Sequence, residues 1–354
     1  MNRVPFDPKE LIPLSVEKAI MPGFPDKPVY NSPITNRENF ALSLKREKPM
    51  WMPNTFTDYD MICPEVPDNI ARAFVFEKKP MDFNHVGGPD MFGVEWEYVP
   101  SVGGSMVRGG NPKIPDIANW EKYITFPDLE EIIDWETISQ RNKEYGSERK
   151  TLTVSILNGL FERLISFMDM SNALMAMIDE DEQEGVHRLF DKLADMYDQY
   201  IGLYKKYFNC QMIQFHDDWG SQRAPFFSPN TLREMVLPYL KRVVESAHKN
   251  GCFFEMHSCG KNEILVPIML EAGVDLWQPQ FMNDYEAIYK ESAGDMTITI
   301  PLKDYINEDM SDNEMSDKIA GFIDKFPKAQ ASSWFAPDRS AEMLYVESRK
   351  YFCD

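Results

Sequence analysis

The chain has 354 residues, 43% of them hydrophobic, enough to bury the core of one large domain or two smaller ones. Its 57 acidic residues outnumber 37 lysines and arginines, and the formal net charge of −20 repels nucleic-acid phosphates and anionic membrane surfaces, which are bound through clustered cations. No stretch is apolar over the length of a bilayer crossing, and Met1-Asn2-Arg3-Val4-Pro5-Phe6-Asp7 lacks the apolar region of a signal peptide, so no nucleic-acid partner, no membrane partner and a cytoplasmic location are expected.

Residues 1–34 are rich in proline and show little periodicity, which reads as an N-terminal arm laid over a single domain at 35–354. Thr35-Asn36-Arg37-Glu38 is a capping box that opens a helix running to about Glu47, and Lys48-Pro49 stops it. Met50–Pro53 and Val94–Val99 follow as strands. From residue 150 onward, short apolar runs alternate with amphipathic helices: Thr151–Leu157, Gln211–Phe215, Cys252–His257, Val274–Gln280, Met296–Leu302 and Ala329–Phe335 read as strands.

The connecting helices carry clear stop and start signals. Ser228-Pro229 supplies an N-cap and a first-turn proline, Leu232, Met235, Val236, Tyr239, Leu240, Val243, Val244 and Ala247 fall at helical spacing, and Asn250-Gly251 closes the element. Pro238 predicts a kink within it. The next helix, Glu263 to Ala272, ends on Gly273 just before a strand, as short connections between helix and strand require. Eight strands in such units favour an α/β fold of one kind, a single closed (β/α)8 barrel, over an open doubly wound sheet. Gly103-Gly104 and Gly109-Gly110 fit neither dinucleotide-binding nor P-loop spacing.

Barrel active sites lie at the C-terminal ends of the strands. Along Cys252–His257 the side chains alternate faces, so Phe253, Glu255, His257 and Cys259 share one side if the pleat holds to the end. An imidazole and a thiol two residues apart on one face can both reach a zinc ion; taken alone, the same pair also fits a hydrogen-bonded core histidine beside a small buried cysteine. The five cysteines, Cys63, Cys210, Cys252, Cys259 and Cys353, are odd in number and scattered, so reduced thiols are expected rather than a disulfide framework. The preceding strand ends in His216-Asp217-Asp218-Trp219, where paired carboxylates beside a histidine can bind a substrate hydroxyl, hold a metal ligand or share a proton; an N-capping aspartate accounts for only one of them. Asn158, Gln222, Gln280 and the loop residue His85 complete the candidate substrate-binding set. Trp219, Phe281 and Phe335, just past strand ends, are the aromatics placed to wall a pocket for a flat, apolar substrate.

At these residues the chain resembles the uroporphyrinogen decarboxylase superfamily, and within it the branch of corrinoid- and coenzyme-M-linked methyltransferases. The segments that carry the likeness stand in order over most of the chain: Asn36-Arg37-Glu38-Asn39, Asp90-Met91-Phe92-Gly93-Val94-Glu95-Trp96, Asp217-Asp218-Trp219-Gly220-Ser221-Gln222, Ser228-Pro229, and His257-Ser258-Cys259-Gly260 followed by Glu271-Ala272-Gly273-Val274-Asp275. The resemblance implies a (β/α)8 barrel, zinc on the pair matching His257 and Cys259 with a further cysteine completing the set, and a corrinoid protein as partner. No cysteine lies between Phe281 and Phe352. The third ligand therefore falls to Glu255 first, or to an aspartate of the Asp217-Asp218 pair, with Asp217, Asp218 and Glu255 the candidate catalytic acids. The expected activity is methyl transfer between a small methylated compound, with a methoxyaromatic favoured by the aromatic residues, and a corrinoid. The alternatives are a cofactor-free decarboxylase of a porphyrinogen or other carboxylate, a thiol methyltransferase of the coenzyme M kind, and a barrel that only binds; the arginine-rich N-terminal signature of the decarboxylases has no counterpart around Leu44-Lys45-Arg46-Glu47.

Overall fold

All six apolar runs expected after residue 150 are strands in the computed structural model, which describes residues 4–17, 26–79, 81–101, 103–292 and 294–353. Among the described residues, seven strands form one curled sheet: β1 (Tyr59–Ile62), β2 (Thr151–Ile156), β3 (Met212–His216), β4 (Phe253–His257), β5 (Leu276–Gln278), β6 (Thr297–Pro301) and β7 (Gln330–Ser332). Each pairs in parallel with the next in sequence. An order without a switch point is that of singly wound βα units, in contrast to an open doubly wound sheet. The edges of the curl are drawn together at Asn54, which forms a parallel bridge to Ala331 of β7: Thr55 N donates to the Ala331 carbonyl at 2.9 Å, and Ala331 N to the Pro53 carbonyl at 2.8 Å.

Two of the eight expected strands are corrected. Met50–Pro53 makes no ladder of its own, since prolines at 49 and 53 remove donors, and only the bridge just beyond it joins the sheet. Val94–Val99 is a strand from Glu95 to Val99, but it belongs to a separate antiparallel sheet with Gly88–Pro89 and Gly104–Val107. Its burial explains this: Glu95 and Glu97 face solvent while Trp96 is buried, the alternation of a half-solvated antiparallel strand rather than of a parallel strand covered on both faces.

The helices form as their signals require. Helix α1 (Asn36–Leu44) opens on the Thr35–Glu38 capping box. Helix α2 (Leu160–Met168) follows β2, and α3 (Glu180–Phe208) precedes β3. Pro238 splits its helix into α4 (Pro229–Met235) and α5 (Leu237–Lys249), with Val236 at φ −113° at the break. Gly273 closes the helix before β5 in a left-handed conformation. The outward residues of the strands, such as Val154, Ile213, Phe215, Phe254, Met256 and Ile298, join the helices in the main apolar core. In the N-terminal region Glu10 is buried, accepting two bonds of 2.8 Å from the Arg349 guanidinium and one of 2.6 Å from the Tyr345 hydroxyl.

The other face of the strands is polar where a barrel interior is ordinarily filled with branched aliphatic residues. Ser155, Gln214 and Glu255 are partners in register on β2, β3 and β4, and Ser155 donates to the Gln214 amide oxygen at 2.9 Å. One pleat further toward the strand ends, His216, His257 and Gln278 stand level on β3, β4 and β5. That second level is the floor of the candidate site.

Candidate metal centre at the strand ends

Register alone brings two histidines together. His216 and His257 are the last residues of adjacent parallel strands, and their rings stack with centroids 4.5 Å apart and planes 16° from parallel. Beyond them the chain turns away in two loops that cross. Gly260 is in the left-handed region with φ of +103°, and a Cβ on it would stand 2.3 Å from the Gly220 carbonyl carbon, so glycine is required for the crossing. The crossing carries Asp218 over β4, where its Oδ1 accepts the Cys259 backbone N–H at 2.6 Å. Ser258 and Asn262 lace the same turn: Ser258 Oγ accepts from Trp219 N at 3.1 Å, and the Asn262 amide donates to the Cys259 carbonyl at 2.7 Å.

The outcome is a cluster of four donors, His216, Asp218, His257 and Cys259, each with one ligand atom within 4.8 Å of the others'. Cys259 Sγ lies 3.5 Å from His257 Nε2, and Asp218 Oδ1 lies 3.8 Å from His216 Nε2. Ligand bonds of roughly 2.0–2.3 Å in a tetrahedron imply edges of about 3.3–3.8 Å, so these separations are of the size a small dication needs. The electrostatics agree in part. Low-dielectric surroundings and the charge of His216 push His257 down to about 3, which keeps a neutral imidazole with a lone pair to give. Burial, with Asp218 and Glu162 adding to it, pushes the Cys259 thiol up, so without a cation it is a thiol; a bound dication inverts that balance and makes the thiolate the stable form. Burial and the Glu162 charge likewise raise Asp218 above its ordinary value.

The other expected site residues are distributed as follows. Gln280 is at the cluster, its amide donating to Cys259 Sγ at 3.2 Å while its Oε1 accepts Gly260 N at 2.9 Å. Asn158 is buried one step away and accepts from Arg72 at 3.2 Å. Asp217 is enclosed rather than in the mouth: its carboxylate caps α2, whose N-cap Gly159 has no side chain to do so, by accepting from Glu162 N at 2.8 Å and Phe161 N at 3.2 Å, and it also holds Trp219 Nε1 at 2.9 Å. Trp219 is fully buried, and its polar edge is taken up by Asp217. Glu255 is not in the cluster. It lies fully buried two residues below His257, bonded to the Gln278 amide, and burial pushes its carboxyl up to about 8. His85 is exposed beside Asp82, and Gln222 is exposed on its loop, both outside the cluster.

Two residues of the site escape sequence reasoning. Glu162, in the first turn of α2, accepts from His216 Nδ1 at 2.5 Å, and its other oxygen pairs with Arg72 at 3.0 Å. Burial opposes its charge, but Arg72 and His216 outweigh that and hold its carboxyl down to about 2. For His216, burial is likewise outweighed by Glu162, and its pKa is raised. Arg72 ends the short helix Pro67–Ala71 and lies over the Trp96 ring at 5.3 Å. The signal for Glu162 was its place in the first turn of the helix that follows β2, beside the end of β3.

Residues 51–300 match the family described as uroporphyrinogen decarboxylase (URO-D). No curated protein matches the chain. Among solved structures, a methyltransferase from Methanosarcina mazei superposes with a TM-score of 0.60 at 12% identity, covering 90% of this chain and 99% of that one. D-psicose 3-epimerase from Clostridium cellulolyticum H10 and a sugar phosphate isomerase/epimerase from Parabacteroides distasonis give TM-scores of 0.35 and 0.34 at 9% and 10% identity, over 62% and 63% of this chain and 83% of each of theirs.

Proposed function

The chain belongs to the uroporphyrinogen decarboxylase family, and on that premise we propose that it is a zinc-dependent methyltransferase, moving a methyl group between a small methylated compound and a corrinoid carried by a partner protein. The observation that carries the reading is the convergence of His216, Asp218, His257 and Cys259 at the strand ends. A decarboxylase needs an acid near its substrate, but neither a thiol nor a second imidazole. The fold likeness to a methyltransferase over nearly the whole of both chains supports the same direction.

Zinc in this position supplies a Lewis acid that polarises the atom released as the methyl group departs, or lowers the pKa of an acceptor thiol when transfer runs the other way. The chain's own residues supply the rest. His216 and His257 would give nitrogens and Cys259 sulfur, and the Gln280 amide donates to that sulfur from the next strand end. A catalytic site keeps one position for substrate. Asp218 would be the least committed of the four to such an ion, because its carboxylate is already engaged by the Cys259 backbone N–H. Phe281 and Phe335, both exposed beyond the ends of β5 and β7, offer rings against which a methoxyaromatic donor stacks. In the same reading the segment at Asn54 completes a closed (β/α)8 barrel spanning 35–354, with 1–34 as an arm over it.

The test mixes purified protein, Co(I) corrinoid and a panel of methoxylated aromatics, methylamines and methylthiols, and follows methylation of the corrinoid by its visible spectrum. Turnover with at least one donor, lost in His257→Ala, is expected. Carbon dioxide release from uroporphyrinogen by metal-free protein, with every methyl donor inert, contradicts the proposal.

A further inference from the structure

A metal-ligating histidine is normally held by a bond to its other ring nitrogen, which fixes both tautomer and orientation. In this cluster His216 alone has such a partner among the hydrogen bonds of the described residues. Its Nδ1 is 2.5 Å from Glu162 Oε2, while its Nε2 is turned toward Asp218. We infer that Glu162 is a positioning residue, acting through His216, and that Arg72, paired with its other carboxylate oxygen at 3.0 Å, holds it in place. This rests on the metal reading above and adds to it the device by which a cluster with one cysteine recruits a nitrogen from the neighbouring strand.

Three separate observations converge on Glu162. Its ionised form is favoured by Arg72 at 3.0 Å and by its place in the first turn of a nine-residue helix, where the backbone dipole is positive. Its backbone is fixed, because its N–H is one of the two that Asp217 caps. Arg72 is itself fixed, by Asn158 and by the face of Trp96. A carboxylate oxygen at Nδ1 calls for a donor there, so whenever the His216 ring is neutral, as metal binding requires, the proton sits on Nδ1 and the Nε2 lone pair faces the cluster. Charge balance points the same way: Arg72 cancels Glu162, which leaves one thiolate and one carboxylate to neutralise a dication.

Glu162→Gln is the discriminating variant. It preserves shape and the bond to Arg72, but its amide N–H next to Nδ1 favours the opposite tautomer, with the proton on Nε2. Competition against a chromophoric chelator should show zinc and Co(II) affinity falling 10–100-fold, with the thermal midpoint of the metal-free protein little changed. Arg72→Gln should give a smaller fall. Independently of any metal, 15N-histidine spectra of the metal-free protein at alkaline pH should show His216 protonated at Nδ1 in the wild type and at Nε2 in Glu162→Gln. With five histidines in the chain, His216→Gln assigns the signal. If the wild type binds no metal, the functional proposal fails and the tautomer alone decides the positioning role. If the wild type binds metal and Glu162→Gln binds it equally, with an unchanged tautomer, the positioning role is overturned while the functional proposal stands. Should Glu162→Gln not fold, Arg72→Gln carries the same two readouts.

Discussion

Glu162 and Arg163 are neighbours in one turn of helix α2, yet they enter networks of opposite kind. Arg163 is fully buried, with its guanidinium between Asp68 and Asp90, 2.6 Å from the latter, and over the ring of Phe92. Asp90 in turn accepts from Phe92 N, Val94 N and Trp96 Nε1. That network keeps its charged groups among themselves and meets the other at the neutral Asn158, whose amide donates to Asp68 at 3.3 Å while its oxygen accepts from Arg72. Glu162 belongs to a chain that runs from Arg72 through His216 and stops at donors gathered around a common point, Asp218, His257 and Cys259. A closed ionic network consumes its charges in holding elements together; an open one leaves coordination capacity at its end. The difference separates structural from functional polar residues better than burial does, since both networks are largely enclosed.

The largest expected effect tests the closed network. Arg163→Met leaves two buried carboxylates without a counter-ion and should cost about 3–5 kcal/mol of stability in urea unfolding, while the protein that remains folded still binds one metal ion. Loss of metal without loss of stability would erase the distinction. The open network should respond to its ligand instead: zinc at a hundredfold excess over its Kd should stabilise the wild type by about 2.7 kcal/mol, and Asp218→Asn by less. The adjacent aspartates sharpen the contrast. Asp217→Ala uncaps α2 and frees the Trp219 edge, with an expected loss of about 1–3 kcal/mol and retained metal. Asp218→Asn should change stability by less than about 0.5 kcal/mol but weaken metal binding at least tenfold. Equal behaviour of the two variants would show that both acids serve the loop.

A smaller effect concerns the second closed network, at Glu10. Burial opposes its charge, but bonds from Arg349 and Tyr345 prevail and lower its pKa. A lowered folded pKa gives stability that is present above the unfolded carboxylate value of about 4.3 and is lost as pH falls through the folded value. Glu10→Gln should therefore flatten the acid side of the stability profile and leave metal affinity untouched.

Much of this was legible in the sequence because it is local. The capping box at Thr35, the break at Pro238 and the left-handed Gly273 are signals within a few residues, and each forms as read. Alternation along Phe253–Cys259 placed His257 and Cys259 on one face. The same alternation in Glu95-Trp96-Glu97 marked a half-solvated strand that apolar content alone made look like a barrel stave. Asp217 and Asp218 could not be told apart, because which one turns toward α2 depends on how two loops cross at Gly220 and Gly260. Glu162 and His216 are 54 residues apart and meet only through the register of β2 against β3.

The most direct measurement of the central claim is metal content by elemental analysis of protein purified without chelator, for the wild type, His216→Ala and the double variant His257→Ala, Cys259→Ser. One zinc per chain is expected in the wild type, a substoichiometric amount in His216→Ala, and none in the double variant, all three folded. Stoichiometric zinc in the double variant, or a wild type that takes up no metal even when zinc is supplied, contradicts that claim.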